Sequence, residues 1–191
     1  MTTSRAIAIS LSALSLLALC ACGGGNVTLD NPRTSEGVRI ILDGSNVYHL
    51  DPGETKQVSM GAGSHKVVIQ GEKSGTIQDT SITVKEGGIV HSGGTGYVVW
   101  RQLYGLQNDR KTLLNEDWAM IDSIKFFGDL KVYPANVIYL EKNWTIGLED
   151  KLPESQTLYV TKDYSVESKV FREDEFMETY REMSEKSQKQ Q

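Results

Sequence analysis

The sequence predicts a mainly β protein, in which a small antiparallel β-sandwich is followed by a second β-rich region and a C-terminal α-helix. Up to about residue 90, short segments of alternating apolar and polar residues recur between turn sequences, at the spacing of roughly 8–12 residues that is typical of sandwiches. All three tryptophans and six of the eight tyrosines lie between Tyr97 and Tyr164. The last residues instead repeat apolar side chains with a helical period.

The first half, residues 27–92, has the pattern of a β-sandwich. In the segment "GVRIILDG" the side chains of Val38, Ile40 and Leu42 point to one face of a strand, because successive side chains alternate. The segments "DGSN", "DPGE" and "GAGS" have turn compositions. Between and after them we predict strands at residues 47–50, 55–60, 65–70 and 80–85, with Val58, Met60, Ile82 and Val84 facing inward.

The second region, residues 93–171, is predicted to begin near the glycines of residues 86–96. It contains several strand-like segments, at residues 96–105, 119–127, 130–140, 156–161 and 165–171. Polar stretches at 107–117 and 147–156 separate some of them. The residues leave two alternatives open: a second domain, or strands that complete the first sheet.

The C-terminal segment, residues 172–191, is predicted to be a helix with a frayed tail. Phe176, Tyr180 and Met183 are spaced i, i+4 and i+7, which places them on one helical face. Acidic residues at 173–175 suit the positive N-terminal end of the helix dipole. We expect the helix to pack on the body through this face and to fray beyond Met183.

The N-terminal segment, residues 1–21, has the features of a signal peptide. It carries one charge, Arg5, followed by an apolar run from Ala6 to Ala21 that only serines interrupt. As a helix this run would reach about 24 Å, short of the roughly 30 Å hydrocarbon core of a bilayer. A positive residue, a short apolar run and small residues at its end are typical of a secretory signal.

Both cysteines lie at the end of this segment, in "LALCACGGG". A Cys-x-Cys pair could bind a metal or exchange disulfides, although such sites usually need further ligands. An ordinary secretory signal is another alternative. The stretch Leu19-Cys20-Ala21-Cys22 resembles the lipobox of bacterial lipoproteins, which implies cleavage before Cys22 and acylation of Cys22.

This resemblance implies a location. Two or three acyl chains hold a protein stably in a membrane. The lipobox implies the bacterial cell envelope, and Gly23 after the cysteine implies the outer membrane. Residues 22–26 would then be a lipidated tether, whose last four residues span at most about 14 Å. Cleavage and acylation would leave no free thiol, which excludes thiol catalysis in the mature chain.

A second resemblance covers residues 37–85. The segment "VRIILDG", a proline-glycine turn and the segment "GAGSHKVVI" resemble the PEGA domain and related small β-sandwich modules of bacterial surface proteins. The tetrapeptide that names that family is missing, since "DPGE" stands at the corresponding turn. The resemblance implies a structural or adhesive module without catalytic residues.

Candidate catalytic and metal-binding residues are isolated in the sequence. His49, His65 and His91 show no zinc-ligand spacing, and His65 is predicted to be a packed residue with one hydrogen bond. The glycine-rich segment 86–97 lacks a phosphate-loop pattern and is predicted to be a turn. Gly-x-Ser-x-Gly is absent, and Ser64 and His65 would point to opposite faces of a strand. Five acidic residues are predicted to be solvated: Asp117, Asp122, Asp129, Glu149 and Asp150.

The aromatic residues of 97–164 are the remaining candidates for binding. Trp100, Trp118 and Trp144 could form a platform for sugars or an interface, or they could fill a core. Exposure of all three on one face would favour a carbohydrate-binding or adhesion module, and burial of all three would exclude it.

The sequence therefore predicts an envelope lipoprotein with a non-enzymatic structural or binding role, with no catalytic residue, metal or cofactor. Its expected partners are the membrane, through the acyl chains, and an envelope protein or a glycan. The net charge of −5 gives no basic footprint for nucleic acid. The alternatives are the carbohydrate-binding module and a hydrolase with an unrecognised site. A subunit of an envelope assembly would expose an apolar patch of roughly several hundred Å².

Overall fold

The computed structural model describes residues 24–105, 110–153 and 164–189. Within these ranges the chain forms three four-stranded sheets and two helices. Cys22 and the predicted strand at 156–161 lie outside the described residues. The predicted mainly β fold with a sandwich, a second β-rich region and a C-terminal helix is confirmed.

The first sheet has the strand order β11-β7-β1-β4. The strand β1 pairs in parallel with β7, and the other pairs are antiparallel. The strands are β1 (Gly24–Asp30), β4 (Thr55–Gly61), β7 (Gly88–His91) and β11 (Tyr139–Glu141). Because β1 begins at Gly24, residues 24–26 of the predicted tether belong to a strand.

The second sheet is antiparallel and has the order β3-β2-β5-β6. Its strands are β2 (Val38–Leu42), β3 (Asn46–Leu50), β5 (Gly63–Gly71) and β6 (Gly75–Val84). Only Ala62 separates β4 from β5, so the chain bends there from the first sheet to the second. The predicted inward-facing residues of β2, β4 and β6 are buried in one core between these two sheets, with Val27, Leu29, Val67 and Ile69.

The third sheet has the order β12-β8-β10-β9 and is antiparallel. Its strands are β8 (Tyr97–Gly105), β9 (Asp117–Ile121), β10 (Ile124–Tyr133) and β12 (Tyr164–Arg172). A single-turn helix, α1 (Arg110–Leu113), precedes β9. One face of the sheet packs on α2 (Glu173–Lys189), where Phe176 is buried against Val98 and Phe171.

Two predicted strands are divided in the structure. The segment 119–127 is a hairpin, because Asp122 and Ser123 have φ of 46° and 67°. Two consecutive left-handed residues form the tight turn that matches strand twist. The segment 130–140 breaks after Tyr133 because Pro134 has no N–H for the strand ladder. The later part, β11, then joins the first sheet.

The helix α2 extends from Glu173 to Lys189, and the fraying expected beyond Met183 stays a prediction. The predicted contact face is confirmed at its N-terminal part, where Phe176 is fully buried and Tyr180 is half-buried, but Met183 is exposed. The spacing of Glu182 and Lys186 gives an i,i+4 pair, which favours the helix at these exposed positions.

Candidate functional site

A buried carboxylate lies where the sandwich meets the third sheet. Asp30 ends β1 and is fully buried. It accepts a hydrogen bond from the Tyr97 hydroxyl, and Arg172 donates to it from Nε at 3.1 Å and from Nη2 at 2.6 Å. Tyr97 begins β8 and Arg172 ends β12, so this group, the Asp30 cluster, joins three strands from two sheets.

The electrostatics of the Asp30 cluster keep the Tyr97 phenol protonated and the Arg172 guanidinium charged. Burial and then the charge of Asp30 raise the pKa of Tyr97 well above its usual value, so the phenol stays protonated. The hydrogen bonds to Asp30 raise the pKa of Arg172 further. The cluster therefore holds an ion pair and a neutral donor.

His91 lies beside this cluster and is uncharged. Its ring is fully buried and packs on the Tyr97 ring with 4.5 Å between centroids. Nε2 contacts the Val137 carbonyl, and Nδ1 accepts a bond from the Gly93 N–H at 3.1 Å. Burial lowers the pKa of His91 to about 4. Because one nitrogen donates and the other accepts, neither is available as a base or a metal ligand.

Further buried polar groups connect the loops around the cluster. The Asn31 amide donates to the carbonyls of Glu36, Leu50 and Asp51, and its oxygen accepts a bond of 2.8 Å from the Ser92 hydroxyl. Within the described part of the chain, every buried side-chain nitrogen and oxygen has a hydrogen-bond partner. A fully satisfied network of this kind fixes one packing arrangement. We therefore assign these residues a structural role.

An open groove of about 980 Å³ runs between α2, β12 and residues 148–153. At its base the buried Lys169 donates to the carbonyls of Gly147 and Leu148, at 3.0 and 2.8 Å, and pairs with Glu175 at 3.3 Å. Burial lowers the pKa of Lys169, and the charge of Glu175 opposes this shift. In the ranges given above, no three His, Cys, Asp or Glu side chains are grouped so that they could hold a metal ion.

The three tryptophans do not share one exposed face. Trp144 is buried in the core between the first and third sheets. Trp100 is half-buried and packs on Phe176 with 5.6 Å between ring centroids. Trp118 alone of the three is exposed, at 64%. A sugar platform made from all three side chains is therefore absent.

The hairpin of β9 and β10 exposes four large apolar side chains. Trp118, Met120, Ile124 and Phe127 are exposed by 64%, 54%, 53% and 45%. Trp118 and Phe127 pair across the strands, with ring centroids 5.4 Å apart. Ile121 and Phe126 are instead buried in the core beneath α2. Trp118, Met120 and Phe127 share one face of the hairpin, and we call these three residues the apolar hairpin surface. Ile124 lies on the opposite face, across from Ile121 and beside α2.

The remaining candidate residues from the sequence are surface residues, turn glycines or members of simple polar contacts. Asp117, Asp122, Glu149 and Asp150 are exposed as predicted, whereas Asp129 is half-buried and pairs with Arg101 at 2.8 Å. His49 is exposed on β3. Gly93 and Gly94 have φ of 76° and 101°, which agrees with a glycine turn. His65 makes two hydrogen bonds where the sequence predicts one.

The sequence did not single out the apolar hairpin surface or the Asp30 cluster. The segment "DWAMI" has apolar residues on both faces of the strand, which signals an unusual strand but not which face is covered. Asp30 is 67 residues from Tyr97 and 142 residues from Arg172 along the chain, and no local pattern links the three.

No protein family model, curated protein or solved structure matches this chain. The resemblance of residues 37–85 to PEGA-type modules stays a prediction. Neither described helix has the length and apolar composition that crossing a bilayer requires.

Proposed function

We propose that this protein is a lipoprotein of the bacterial envelope, anchored through Cys22, that acts without catalysis as a binding subunit of an envelope assembly. The apolar hairpin surface carries this proposal, because it is the exposed patch that such a subunit needs. A protein partner fits its composition, since Trp, Phe and Met are enriched at the centres of protein interfaces.

The surroundings of the apolar hairpin surface support a protein contact. Asp117, Asp122 and Lys125 are exposed around it. An apolar centre with a charged rim is the usual anatomy of a protein interface. Monomeric proteins rarely leave such side chains together in water, because their burial is the main favourable term in association.

The position of β1 sets how close an anchor at Cys22 would hold the folded body to the membrane. The described chain begins in a strand at Gly24, two residues after Cys22. Two residues span at most about 7 Å. Acylation at Cys22 would therefore hold the folded body directly against the membrane surface.

The lipid anchor is tested by the intact mass of the protein from the membrane fraction. We expect a mature chain that starts at Cys22 and carries acyl chains in the wild type and in C20A, and loss of this modification in C22A. An unmodified mass that retains both cysteines in the wild type would contradict the anchor.

The binding role is tested with a photo-crosslinking amino acid at Met120 in living cells. The control position is Val47, which is 48% exposed on β3 in the second sheet. We expect a protein adduct of one defined mass from position 120 and none from position 47. The substitution W118A should reduce the adduct, because loss of an interface tryptophan costs about 2 kcal/mol or more, a factor of about 30 in affinity.

Each other outcome of this experiment contradicts the proposal. A glycan adduct at position 120 would favour the carbohydrate-binding alternative, with Trp118 and Phe127 as the stacking pair. Lipid adducts would identify the hairpin as a membrane contact. If no adduct forms, or if the adduct is equally abundant with and without W118A, the hairpin is not the binding surface.

A further inference from the structure

His65 on β5 has a hydrogen-bond acceptor opposite each of its ring nitrogens. Nδ1 lies 2.8 Å from Oδ2 of Asp43, and Nε2 lies 2.9 Å from the carbonyl oxygen of Gly61. An ionised carboxylate and a carbonyl both only accept. Only the doubly protonated imidazolium has an N–H at both nitrogens, so it is the form that satisfies both contacts.

These contacts join two turns at one end of the sandwich. Asp43 lies in the β2–β3 turn with φ of 52°, a left-handed conformation that aspartate tolerates better than most residues. Its Oδ1 accepts the Lys66 N–H at 2.9 Å, and its own N–H donates to the Lys66 carbonyl at 2.9 Å. Gly61 ends β4 at the bend into β5 and pairs with Gly24. We call Asp43, His65 and Gly61 the His65 clip.

We propose that protonation of His65 closes this clip and deprotonation opens it, so that the order of the β2–β3 turn follows pH. In neutral His65, one ring nitrogen would present a lone pair to an acceptor oxygen. That contact is repulsive, and the ring or the turn must move to relieve it. The His65 clip requires neither the proposed partner nor the lipid anchor.

The charges around the ring agree with this geometry. The hydrogen bond that His65 donates to Asp43 is the main cause that raises the pKa of His65, and burial opposes it. The same bond lowers the pKa of Asp43. On β6 the residue opposite His65 is Ile82, which is uncharged, and Lys66 points to the other strand face, where it pairs with Asp79. Asp43 is therefore the ionised group that faces the ring within the described residues.

The direction of the pH effect follows from these shifts. Because the pKa of His65 is raised in the folded state, its contribution to stability is complete below the unfolded value near 6.5 and is lost as pH rises through the folded value. Because the pKa of Asp43 is lowered, its contribution is lost as pH falls through its folded value. The clip is closed between these two limits.

The test is an NMR titration of the full-length protein in detergent micelles, in which the His65 ring and the Lys66 amide are followed together. We expect His65 to titrate above pH 6.5, with protons on both nitrogens below that transition. Through the same transition, Lys66 amide protection, corrected for intrinsic exchange, should fall about tenfold, the factor expected for one hydrogen bond to a charged group.

Two variants separate the clip from a general pH effect. D43N keeps a residue that tolerates φ of 52° but removes the charge, so we expect the pKa of His65 to fall to 6.5 or below and the amide step to disappear. H49Q changes an exposed histidine on β3 and should alter neither readout. Titration of His65 at or below pH 6.5 in the wild type, or an amide step that persists in D43N, would overturn the proposal.

Discussion

The substitution R172M is expected to lower the free energy of unfolding by about 3–5 kcal/mol, which is the usual effect of breaking a buried ion pair. Arg172 donates two hydrogen bonds to Asp30, which has no exposed surface. Without the guanidinium, the Asp30 charge keeps only the Tyr97 hydroxyl as a side-chain partner among the described residues. Denaturant unfolding of the full-length protein measures the change.

The matched control is K85M, which breaks an ion pair on the surface. Lys85 and Glu141 are 3.0 Å apart, and both side chains are at least half exposed. Such pairs contribute about 0–1 kcal/mol. The double variant D30N/R172M removes the charge that R172M leaves unpaired, so it should be more stable than R172M alone. Equal effects of R172M and K85M would contradict a stabilising role for the Asp30 cluster.

The second large effect is a loss of stability in mild acid that is caused by His91. Its pKa is about 4 in the folded protein and near 6.5 in the unfolded chain, so the unfolded chain binds more protons between these values. The free energy of unfolding therefore decreases as the pH is lowered through this window. From pH 7 to pH 5, this single group should lower it by about 2 kcal/mol.

The measurement is the difference in stability between pH 7 and pH 5 for the wild type and for H91Q. Glutamine has no titrating ring, and its amide can still donate to the Val137 carbonyl. Between pH 7 and pH 5, the free energy of unfolding of H91Q should decrease by about 2 kcal/mol less than that of the wild type. H65Q should keep this decrease in stability, because protonation of His65 stabilises the folded protein. An unchanged pH dependence in H91Q would show that His91 can be protonated in the folded protein.

Arg172 and His91 both lie at the junction between the sandwich and the third sheet. Asp30, Tyr97 and His91 are buried and hydrogen-bonded, and with Arg172 they join the sandwich to the third sheet. The apolar hairpin surface lies on the third sheet and has no covering element among the described residues.

The sequence by itself determined the elements whose signals are local. Alternation in "VRIIL" and "TKQVSMG" identified the strands and their buried faces, because a strand places every second residue on one side. The i, i+4 spacing of Phe176 and Tyr180 identified the helix for the equivalent reason.

Only the tertiary structure decided which faces are covered and which distant residues meet. Trp118 and Trp144 each follow two polar residues in the sequence, yet Trp118 is exposed and Trp144 is buried. Asp30 and Arg172 are 142 residues apart, and two sheets must dock before they can pair. Periodicity records which residues share a face, whereas burial and pairing depend on what the rest of the chain places against that face.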